Sequence, residues 1–222
     1  MNIAVLGTGV VGRTLSARLC NLGHHVILGT RDPETTRDDE NFKQWHAQNP
    51  SVGIGHFSDA AAQSEVIVVA VGGVNALDVL SATGRSNLEG KVLWDVSNPL
   101  DFSKGFPPTL FVKDTDSLAE SIQREYPAAK LVKALNTMSS IVMVNTHDLA
   151  AEGTTFLCGA DSEAKNVVGV LLAQLGHQDV LDLGDVTAAR GMEMVLPLWL
   201  RVMGALGGPE FNFKIVRASG TE

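Results

Sequence analysis

Cysteine is scarce in this chain of 222 residues, which contains only Cys20 and Cys158. Both lie within apolar patterns, so we expect two reduced core residues, as in a cytosolic protein, rather than a disulfide framework. Basic residues are also in the minority, with 17 Lys and Arg against 25 Asp and Glu, and the net charge is −8. This charge argues against nucleic acid or an anionic membrane surface as a partner.

The chain also lacks a long apolar run. Its most apolar segment, residues 195–206, contains Pro197 and Arg201 and is too short to cross a bilayer. The first predicted strand starts at residue 2 or 3, which leaves no room for a signal peptide before it, so we expect a cytoplasmic protein without a membrane partner. The six histidines are scattered without the spacing of metal ligands, and we predict no metal site.

What is present is an alternation of short apolar runs with helical patterns. This alternation is typical of βαβ units and predicts a Rossmann-type α/β fold, doubly wound around a mostly parallel sheet. Residues 1–136 would form the nucleotide-binding domain, and residues 137–222 a small C-terminal α/β extension on the substrate side. The predicted strands are residues 3–6, 26–28, 52–57, 66–71, 92–95, 131–134, 156–158, 180–181 and 211–216. The predicted helices are residues 10–22, 34–46, 59–63, 75–82, 117–125, 162–175 and 187–206.

A glycine-rich turn follows the first strand and opens the first helix. Gly7 permits the tight turn, Gly9 lets the backbone approach a pyrophosphate, and Gly12 allows the helix to pack closely on the strand. The helix begins near Val10 and directs its free N–H groups and the positive end of its dipole at the phosphates. Thr8 adds a hydroxyl donor. The motif therefore predicts a dinucleotide-binding site.

The end of the second strand indicates which dinucleotide. Enzymes that use NAD usually carry Asp or Glu here, which binds the ribose 2′-hydroxyl. This chain has Thr30 and Arg31, and a guanidinium group matches the geometry of a 2′-phosphate. Asp32 is an objection, but it lies one residue further on, where Pro33 fits the start of a helix. We therefore predict NADP as the cofactor.

The other strand ends supply few reactive groups. Their polar residues are Asn98, Asn136 and Thr137, which bind a carboxamide or a ribose hydroxyl but are poor proton donors at neutral pH. We assign no catalytic residue, because no acid or base stands at these ends and Lys133 lies inside its strand. Reduction of a carbonyl or an imine needs a proton beside the hydride, whereas hydride exchange between two cofactor rings needs stacking and orientation. The sequence favours the second class.

Two further segments indicate function. Residues 97–114 lack periodicity, contain three prolines and leave the carboxyl end of the fifth strand, where ligands of open α/β sheets bind. The helix predicted at residues 187–206 is apolar on more than one face. Either the rest of the chain or a partner subunit would cover such a helix, and because the C-terminal segment is small we expect a homodimer.

The motifs together resemble the family of NADPH-dependent reductases of the deazaflavin coenzyme F420, to which the nucleotide-binding domains of STEAP-type metalloreductases are related. The resemblance rests on GTGVVG (residues 7–12), GTR (29–31), VSNPL (96–100) and VKALNT (132–137), and on residues 181–184, 189–190 and 193. It implies that the pyrophosphate is held by Gly7, Thr8, Gly9, Val10, Val11 and Gly12, and the 2′-phosphate by Thr30 and Arg31. It also implies that Val71 and Gly72 line the nucleotide and that Leu135, Asn136 and Thr137 lie near the nicotinamide.

The chain departs from this family at two places. Members often carry His where this chain has Asn136, and a further basic residue soon after the arginine, whereas the next one here is Arg37. The hydride acceptor therefore stays open between a flavin and a deazaflavin. Two other hypotheses are an imine or carbonyl reductase of the pyrroline-carboxylate reductase type and a non-catalytic protein that senses NADP(H). Reductases of that type share the N-terminal pattern but add a long helical dimerisation domain.

Overall fold

The alternation of short strands and helices along the chain gives a layered α/β structure. The computed structural model of the protein describes residues 1–218. Its strands are β1 (Asn2–Leu6), β2 (His25–Thr30), β3 (Gly53–His56), β4 (Val66–Val69), β5 (Val92–Asp95), β6 (Leu100–Asp101), β7 (Thr109–Leu110), β8 (Lys130–Ala134), β9 (Thr155–Gly159) and β10 (Val180–Asp182). Its helices are α1 (Val10–Asn21), α2 (Pro33–Asp38), α3 (Glu40–Gln48), α4 (Phe57–Ala62), α5 (Ala76–Thr83), α6 (Leu118–Glu125), α7 (Ser140–Val144), α8 (Ser162–Leu175), α9 (Ala189–Met194) and α10 (Leu196–Leu206).

Eight of the strands form one sheet in the order β10-β9-β8-β5-β4-β1-β2-β3, and β6 pairs with β7 in a separate antiparallel hairpin. Neighbouring strands of the large sheet are parallel, apart from β8 and β9, which are antiparallel. The predicted Rossmann-type fold with a mostly parallel sheet is therefore confirmed. Strands β9 and β10, from the segment predicted as a C-terminal extension, continue the same sheet.

The side chains of β1 show why helices cover both faces of the sheet. Ile3 and Val5 belong to one buried cluster, which includes residues of α1 and α8, whereas Ala4 and Leu6 belong to a second cluster with residues of α4, α5 and α6. Successive residues of a strand point to opposite faces, so a strand that is buried on both faces reads as one continuous apolar run.

The strand order determines where the fold meets a ligand. β1 has β2 on one side and β4 on the other, so the chain connections diverge there and leave a crevice at the carboxyl ends of the strands. The carboxyl ends of β1, β2, β4, β5 and β8 lie along the same edge because these strands are parallel.

Two predicted helices are divided in the structure. The helix predicted at residues 34–46 is interrupted at Asp39, which has an extended backbone and caps α3 by accepting a hydrogen bond of 2.8 Å from the N–H of Phe42. The helix predicted at residues 187–206 is divided into α9 and α10 just before Pro197, which lacks the N–H that a continuous helix needs.

The predictions for residues 211–216 and 97–114 also need correction. The strand predicted at residues 211–216 is wrong. The N–H of Thr154 bonds to the carbonyl of Phe213 at 2.7 Å, but the N–H of Ile215 bonds to the hydroxyl of Thr154 at 3.0 Å, so a side chain replaces the next rung of a backbone ladder. Residues 97–114, predicted as a loop, contain the β6–β7 hairpin.

Candidate functional site

The turn between β1 and α1 has the geometry of a phosphate cradle. Gly7 has a φ of +118°, and a Cβ atom at Gly12 would overlap the carbonyl oxygen of Gly7, so both positions require glycine. A Cβ atom at Gly9 would meet nothing within 4 Å, which means that the space in front of Gly9 is open. Gly9 is also the N-cap of α1 and provides no side-chain hydrogen bond, so the first N–H groups of the helix are available to an anion.

A polar cleft of about 510 Å³ lies at the carboxyl end of β2. Arg31 lines this cleft, and its guanidinium makes no hydrogen bond or ion pair with residues 1–218. The hydroxyl groups of Thr30 and Thr36 are hydrogen-bonded to each other at 2.8 Å. The cleft is lined by Thr8, Arg13, Thr30, Arg31, Asp32, Thr35, Thr36, Asp39, Asn41 and Phe42.

The carboxylate of Asp32 serves as the N-cap of α2. It accepts hydrogen bonds from the N–H groups of Glu34 and Thr35, at 3.0 and 3.1 Å, and from the hydroxyl of Thr35 at 2.7 Å. The hydrogen bonds from Thr35 hold the pKa of the Asp32 carboxyl below its usual value. The acid that follows Arg31 in the sequence therefore has a structural role in the helix that begins there.

Arg13, in the first half of α1, is a cleft residue that the sequence analysis missed. Its Nη1 lies 3.4 Å from the carbonyl oxygen of Asn41, and it lines the same cleft as Arg31. Its position one residue after Gly12 was the only available signal. Arg37 lies on the other side of Arg31, in a second cleft of about 720 Å³ that also contains His56, and it donates to the carbonyl of Ile54 at 3.3 Å.

A separate cavity, of about 440 Å³, extends from the glycine turn across the ends of β4 and β5. We call it the apolar cavity. Phe102, at the end of β6, is 59% exposed on its rim. The cavity is lined by Gly9, Val10, Val11, Ala70, Val71, Gly72, Gly73, Val74, Val96, Ser97, Asn98, Leu100, Phe102, Met138, Ser139, Ser140 and Met143. None of these described residues has a side chain that titrates near neutral pH.

The structure separates the predicted site residues into four groups. Thr8, Thr30 and Arg31 line the polar cleft, whereas Gly9, Val10, Val11, Val71, Gly72 and Asn98 line the apolar cavity. Gly7 and Gly12 shape the turn between the two spaces. Leu135, Asn136 and Thr137 are buried and line neither space, although Met138 and the two serines after it do.

Asn136 is nevertheless linked to the apolar cavity through Asn98. Nδ2 of Asn98 donates to the carbonyl of Asn136 at 2.8 Å, and Nδ2 of Asn136 donates back to Oδ1 of Asn98 at 2.9 Å. Nδ2 of Asn136 also donates to the carbonyl of Met192 on α9 at 2.9 Å. This reciprocal pair fixes the orientation of the Asn98 amide and connects it to the C-terminal part of the chain.

Lys133 takes part in a buried ionic cluster that the sequence did not reveal. Its Nζ lies 2.7 Å from Oδ2 of Asp95 and 3.0 Å from Oε1 of Glu193, and all three side chains are almost completely buried. Burial disfavours the charge on Lys133, but the two carboxylates outweigh burial, and the pKa of the ammonium group lies above its usual value. Lys133 is therefore a charged structural cation and lines neither the cleft nor the cavity.

Four histidines make structural contacts. His177 is buried, with Nδ1 hydrogen-bonded to the hydroxyl of Thr155 at 2.8 Å and Nε2 to the carbonyl of Met143 at 3.0 Å. His24 is hydrogen-bonded to Gln174, His46 to the carbonyl of Val52, and His56 to the carbonyl of Arg31.

Residues 1–218 contain neither a metal-binding cluster nor a membrane-spanning helix. No three His, Cys, Asp or Glu side chains in this range are grouped so that they would hold a metal ion. Over the same range, no helix has the length and apolarity needed to cross a membrane. Cys20 and Cys158 are both free thiols, and burial raises the pKa of the Cys158 thiol to about 12.

Comparison with known proteins adds relatives of the whole chain. A crystal structure from Arthrobacter sp. FB24, of a protein proposed to be an F420-dependent NADP reductase, is 52% identical in sequence, with a TM-score of 0.96 over 98% of this chain and 100% of the other. The F420-dependent NADP reductase of Methanocaldococcus jannaschii is 28% identical over 89% of this chain and 90% of its own length.

A third relative is much longer than this protein. Metalloreductase STEAP3 of Rattus norvegicus is 30% identical over 89% of this chain, but the match spans only 37% of the rat protein. Residues 2–99, which include the glycine turn and Arg31, match the family described as NADP oxidoreductase, coenzyme F420-dependent. The chain therefore belongs to the family of coenzyme F420-dependent NADP oxidoreductases, and its cofactor is NADP.

Proposed function

We propose that this protein transfers hydride between the nicotinamide of NADP(H) and the ring of a flavin or deazaflavin, with a deazaflavin of the coenzyme F420 type as the favoured acceptor. The observation that carries the proposal is the lining of the apolar cavity, which contains hydroxyl, amide, thioether and hydrocarbon groups but no described acid or base. A site that protonates a carbonyl or an imine needs a donor with a pKa near the working pH. Ring-to-ring hydride transfer depends instead on orientation.

The NADP molecule is assigned along the edge of the sheet. The 2′-phosphate is assigned to the polar cleft, where Arg31 and Arg13 supply positive charge. The pyrophosphate is assigned to the open space at Gly9 and the N-terminus of α1. The nicotinamide is assigned to the apolar cavity, next to Val71, Gly72 and Asn98, where the amide of Asn98 is a partner for the carboxamide.

The apolar cavity also has the character expected for the acceptor. Its volume of about 440 Å³ lies within the usual range of small-molecule sites, about 300–1,000 Å³. Bound NADPH supplies the hydride, and the acceptor ring takes it up. Val10, Val74 and, on the hairpin, Phe102 offer apolar surface against flat rings and exclude water from between them.

The relatives favour a deazaflavin over a flavin. The protein from Methanocaldococcus jannaschii is named an F420-dependent NADP reductase, and its match extends over nearly the whole of both chains. The match to the rat metalloreductase is limited to about a third of that protein.

The test is single-turnover oxidation of NADPH, followed by stopped flow against F420, FMN, FAD and riboflavin. We expect F420 to oxidise NADPH fastest, with a rate nearly constant from about pH 6 to 8 and slowed by deuterium at nicotinamide C4. A rate that follows a single ionisation of the protein contradicts the mechanism and favours an imine or carbonyl reductase. Binding of NADPH without oxidation by any acceptor favours a sensing protein.

A matched pair of variants on the hairpin tests the acceptor side of the apolar cavity. Phe102→Ala removes a ring that lines the cavity, whereas Phe106→Ala removes a ring that is 70% exposed and lies outside it. We expect Phe102→Ala to raise the KM for F420 while leaving the affinity for NADPH unchanged. Equal effects of the two substitutions contradict the assignment.

We also propose that residues 137–222 supply the substrate side of the site and the contact of a homodimer. Met138, Ser139 and Ser140 from this segment line the apolar cavity. On α10, Leu198 and Leu206 are 55% and 65% exposed, although the helix is mainly apolar. A second subunit that packs on α10 would bury these side chains and gain about 25 cal/mol per Å² of apolar surface.

A further inference from the structure

The cluster of Asp95, Lys133 and Glu193 joins three elements of the fold inside the protein. Lys133 lies on β8, Asp95 at the carboxyl end of β5 and Glu193 on α9. Their side chains are 0%, 0% and 2% exposed. Apolar residues of similar volume are often as stable as a buried ionic cluster, so stability alone does not account for these charges.

The cluster holds every polar group of Ser97, a residue that lines the apolar cavity. Oδ1 of Asp95 accepts hydrogen bonds from the N–H of Ser97 at 2.9 Å and from its hydroxyl at 2.6 Å. Nζ of Lys133 donates to the carbonyl of Ser97 at 2.9 Å. Ser97 and Asn98 follow β5 and lie outside the strand ladder, so these ionic contacts supply the constraint that a ladder would otherwise give.

Glu193 connects this cluster to the start of α6. Its carboxylate accepts from the N–H groups of Leu118 and Ala119, at 2.9 and 3.2 Å, and the first turn of a helix stabilises such a negative charge. The preceding residue, Met192, accepts the hydrogen bond from Asn136, which is paired with Asn98. Residues 192–193 therefore touch both supports of the Ser97–Asn98 segment.

We propose that Asp95, Lys133 and Glu193 are positioning residues that hold Ser97 and Asn98 in place against the nicotinamide end of NADP(H). This inference rests on the proposed assignment of the nicotinamide to the apolar cavity. The three side chains act through Ser97 and Asn98, because they do not line the cavity themselves. They bear on the nicotinamide end alone, since none of them lines the polar cleft or lies against the glycines of the turn.

The test compares two ligands that differ only at that end. Both ligands carry the pyrophosphate and the 2′-phosphate. NADPH also carries the nicotinamide, which 2′-phospho-ADP-ribose lacks. Asp95→Asn keeps the size of the side chain but leaves one carbonyl oxygen to serve both Ser97 and Lys133. By calorimetric titration we expect this variant to bind NADPH about tenfold more weakly and 2′-phospho-ADP-ribose as before. Equal losses for both ligands, or unchanged binding of both, overturn the inference.

The ion pair between Arg190 and Glu120 provides a matched control. It joins the same two helices, α9 and α6, at 2.6 and 2.9 Å, but it has no contact with Ser97. Arg190→Gln should leave the ratio of the two affinities unchanged. A shift of that ratio equal to the shift in Asp95→Asn would mean that looser packing of α9 on α6 is the cause, which overturns the inference.

Two further variants keep the outcome decisive. Glu193→Gln replaces Asp95→Asn as the test if the latter does not fold, because it keeps the bonds between Asp95 and Ser97. It should shift the ratio of the two affinities in the same direction. An unchanged ratio in the folded variant overturns the inference.

Asn98→Ala tests the assignment of the cavity itself. If Asn98→Ala leaves the ratio unchanged, the proposed placing of the nicotinamide fails. If Asn98→Ala shifts the ratio and Asp95→Asn does not, only the positioning role fails.

Discussion

The carboxylate of Asp32 accepts a hydrogen bond of 2.7 Å from the hydroxyl of Thr35 in the first turn of α2. Together with two backbone N–H groups, this bond makes the acid a helix cap. The neighbouring guanidinium of Arg31 has no partner within residues 1–218. An acid at this place in the sequence is therefore compatible with a 2′-phosphate site, because its carboxylate is engaged by the N–H groups and the hydroxyl of the first turn of α2.

Arg31→Ala should distinguish NADPH from NADH. The substitution removes a charge-assisted contact to the 2′-phosphate, and we expect the affinity for NADPH to fall about 10- to 100-fold while the affinity for NADH hardly changes. Arg37→Ala is the matched control, because Arg37 lies in the adjoining cleft and donates to Ile54. Fluorescence titration of each variant with both cofactors measures the effect. Equal losses for NADPH and NADH would contradict the assignment of the 2′-phosphate.

Gly9→Val and Gly12→Ala should fail for different reasons. At Gly9 the space beside the backbone is open, so we expect Gly9→Val to fold with an unchanged Tm and to lose NADPH binding because its side chain fills the phosphate space. At Gly12 an added methyl group would overlap the carbonyl oxygen of Gly7, so Gly12→Ala should lower the Tm even without cofactor. Thermal unfolding of the apo-proteins and titration with NADPH separate the two effects. A Gly9→Val variant that retains NADPH affinity would mean that the motif is only a turn.

His177 should make the protein less stable in mild acid. Burial lowers the pKa of this imidazole, so the folded protein favours its neutral form, whereas the unfolded chain titrates near the ordinary histidine pKa of about 6.5. The contribution of neutral His177 is fully present above about pH 6.5, and it is lost as pH falls below that value toward the lowered pKa. The slope from one proton is at most about 1.4 kcal/mol per pH unit.

Urea unfolding at several pH values between 5 and 8 measures this slope. His177→Gln should be less stable at pH 8, because the bonds to Thr155 and Met143 are no longer matched, and it should lose less stability on acidification than the natural protein. Identical pH dependence in the two proteins would assign the acid sensitivity to other groups.

Leu198→Glu should weaken the proposed dimer. Leu198 is 55% exposed on α10, and a carboxylate there would be unpaired inside an apolar subunit contact. We expect light scattering to show a dimer for the natural protein and a larger monomer fraction for the variant at micromolar concentration. Val170→Glu, on the exposed side of α8, is the control for a general effect of added charge. A natural protein that is monomeric under these conditions contradicts the proposal.

The sequence predicted those parts of the fold that depend on local geometry. The apolar run of β1 and the glycines after it predicted a buried strand, a tight turn and a helix, and the structure has all three. The predicted helix boundaries were wrong where a single residue ended or started a helix. Asp39 caps a new helix, and Pro197 lacks the N–H that a continuous helix would need. The strand predicted at residues 211–216 failed because strand pairing needs a partner edge, and no local pattern reveals whether one is free.

The candidate site divides in the same way. Gly9 and Arg31 were predicted as site residues from a glycine motif and a basic strand end, which are properties of a few adjacent residues, and in the structure Gly9 faces open space and Arg31 lines the polar cleft. The roles of Arg13, Phe102 and Glu193 were not found. The polar cleft and the apolar cavity exist only where separate elements meet, and Glu193 accepts its bond from Leu118, which is 75 residues away in the chain.

The sequence by itself determined that this protein has a Rossmann-type fold and a glycine-rich turn after its first strand, because backbone conformation and hydrophobic period act over a few residues. Only the tertiary structure decided which side chains line the polar cleft and the apolar cavity and which are buried beneath them. Asn136 and Lys133 are three residues apart, yet Asn136 supports Asn98 and Lys133 is enclosed by two carboxylates. The burial and the ionic partners of a side chain depend on the segments that pack across the sheet. These segments bring residues that are far apart in the chain to within about 3 Å of each other.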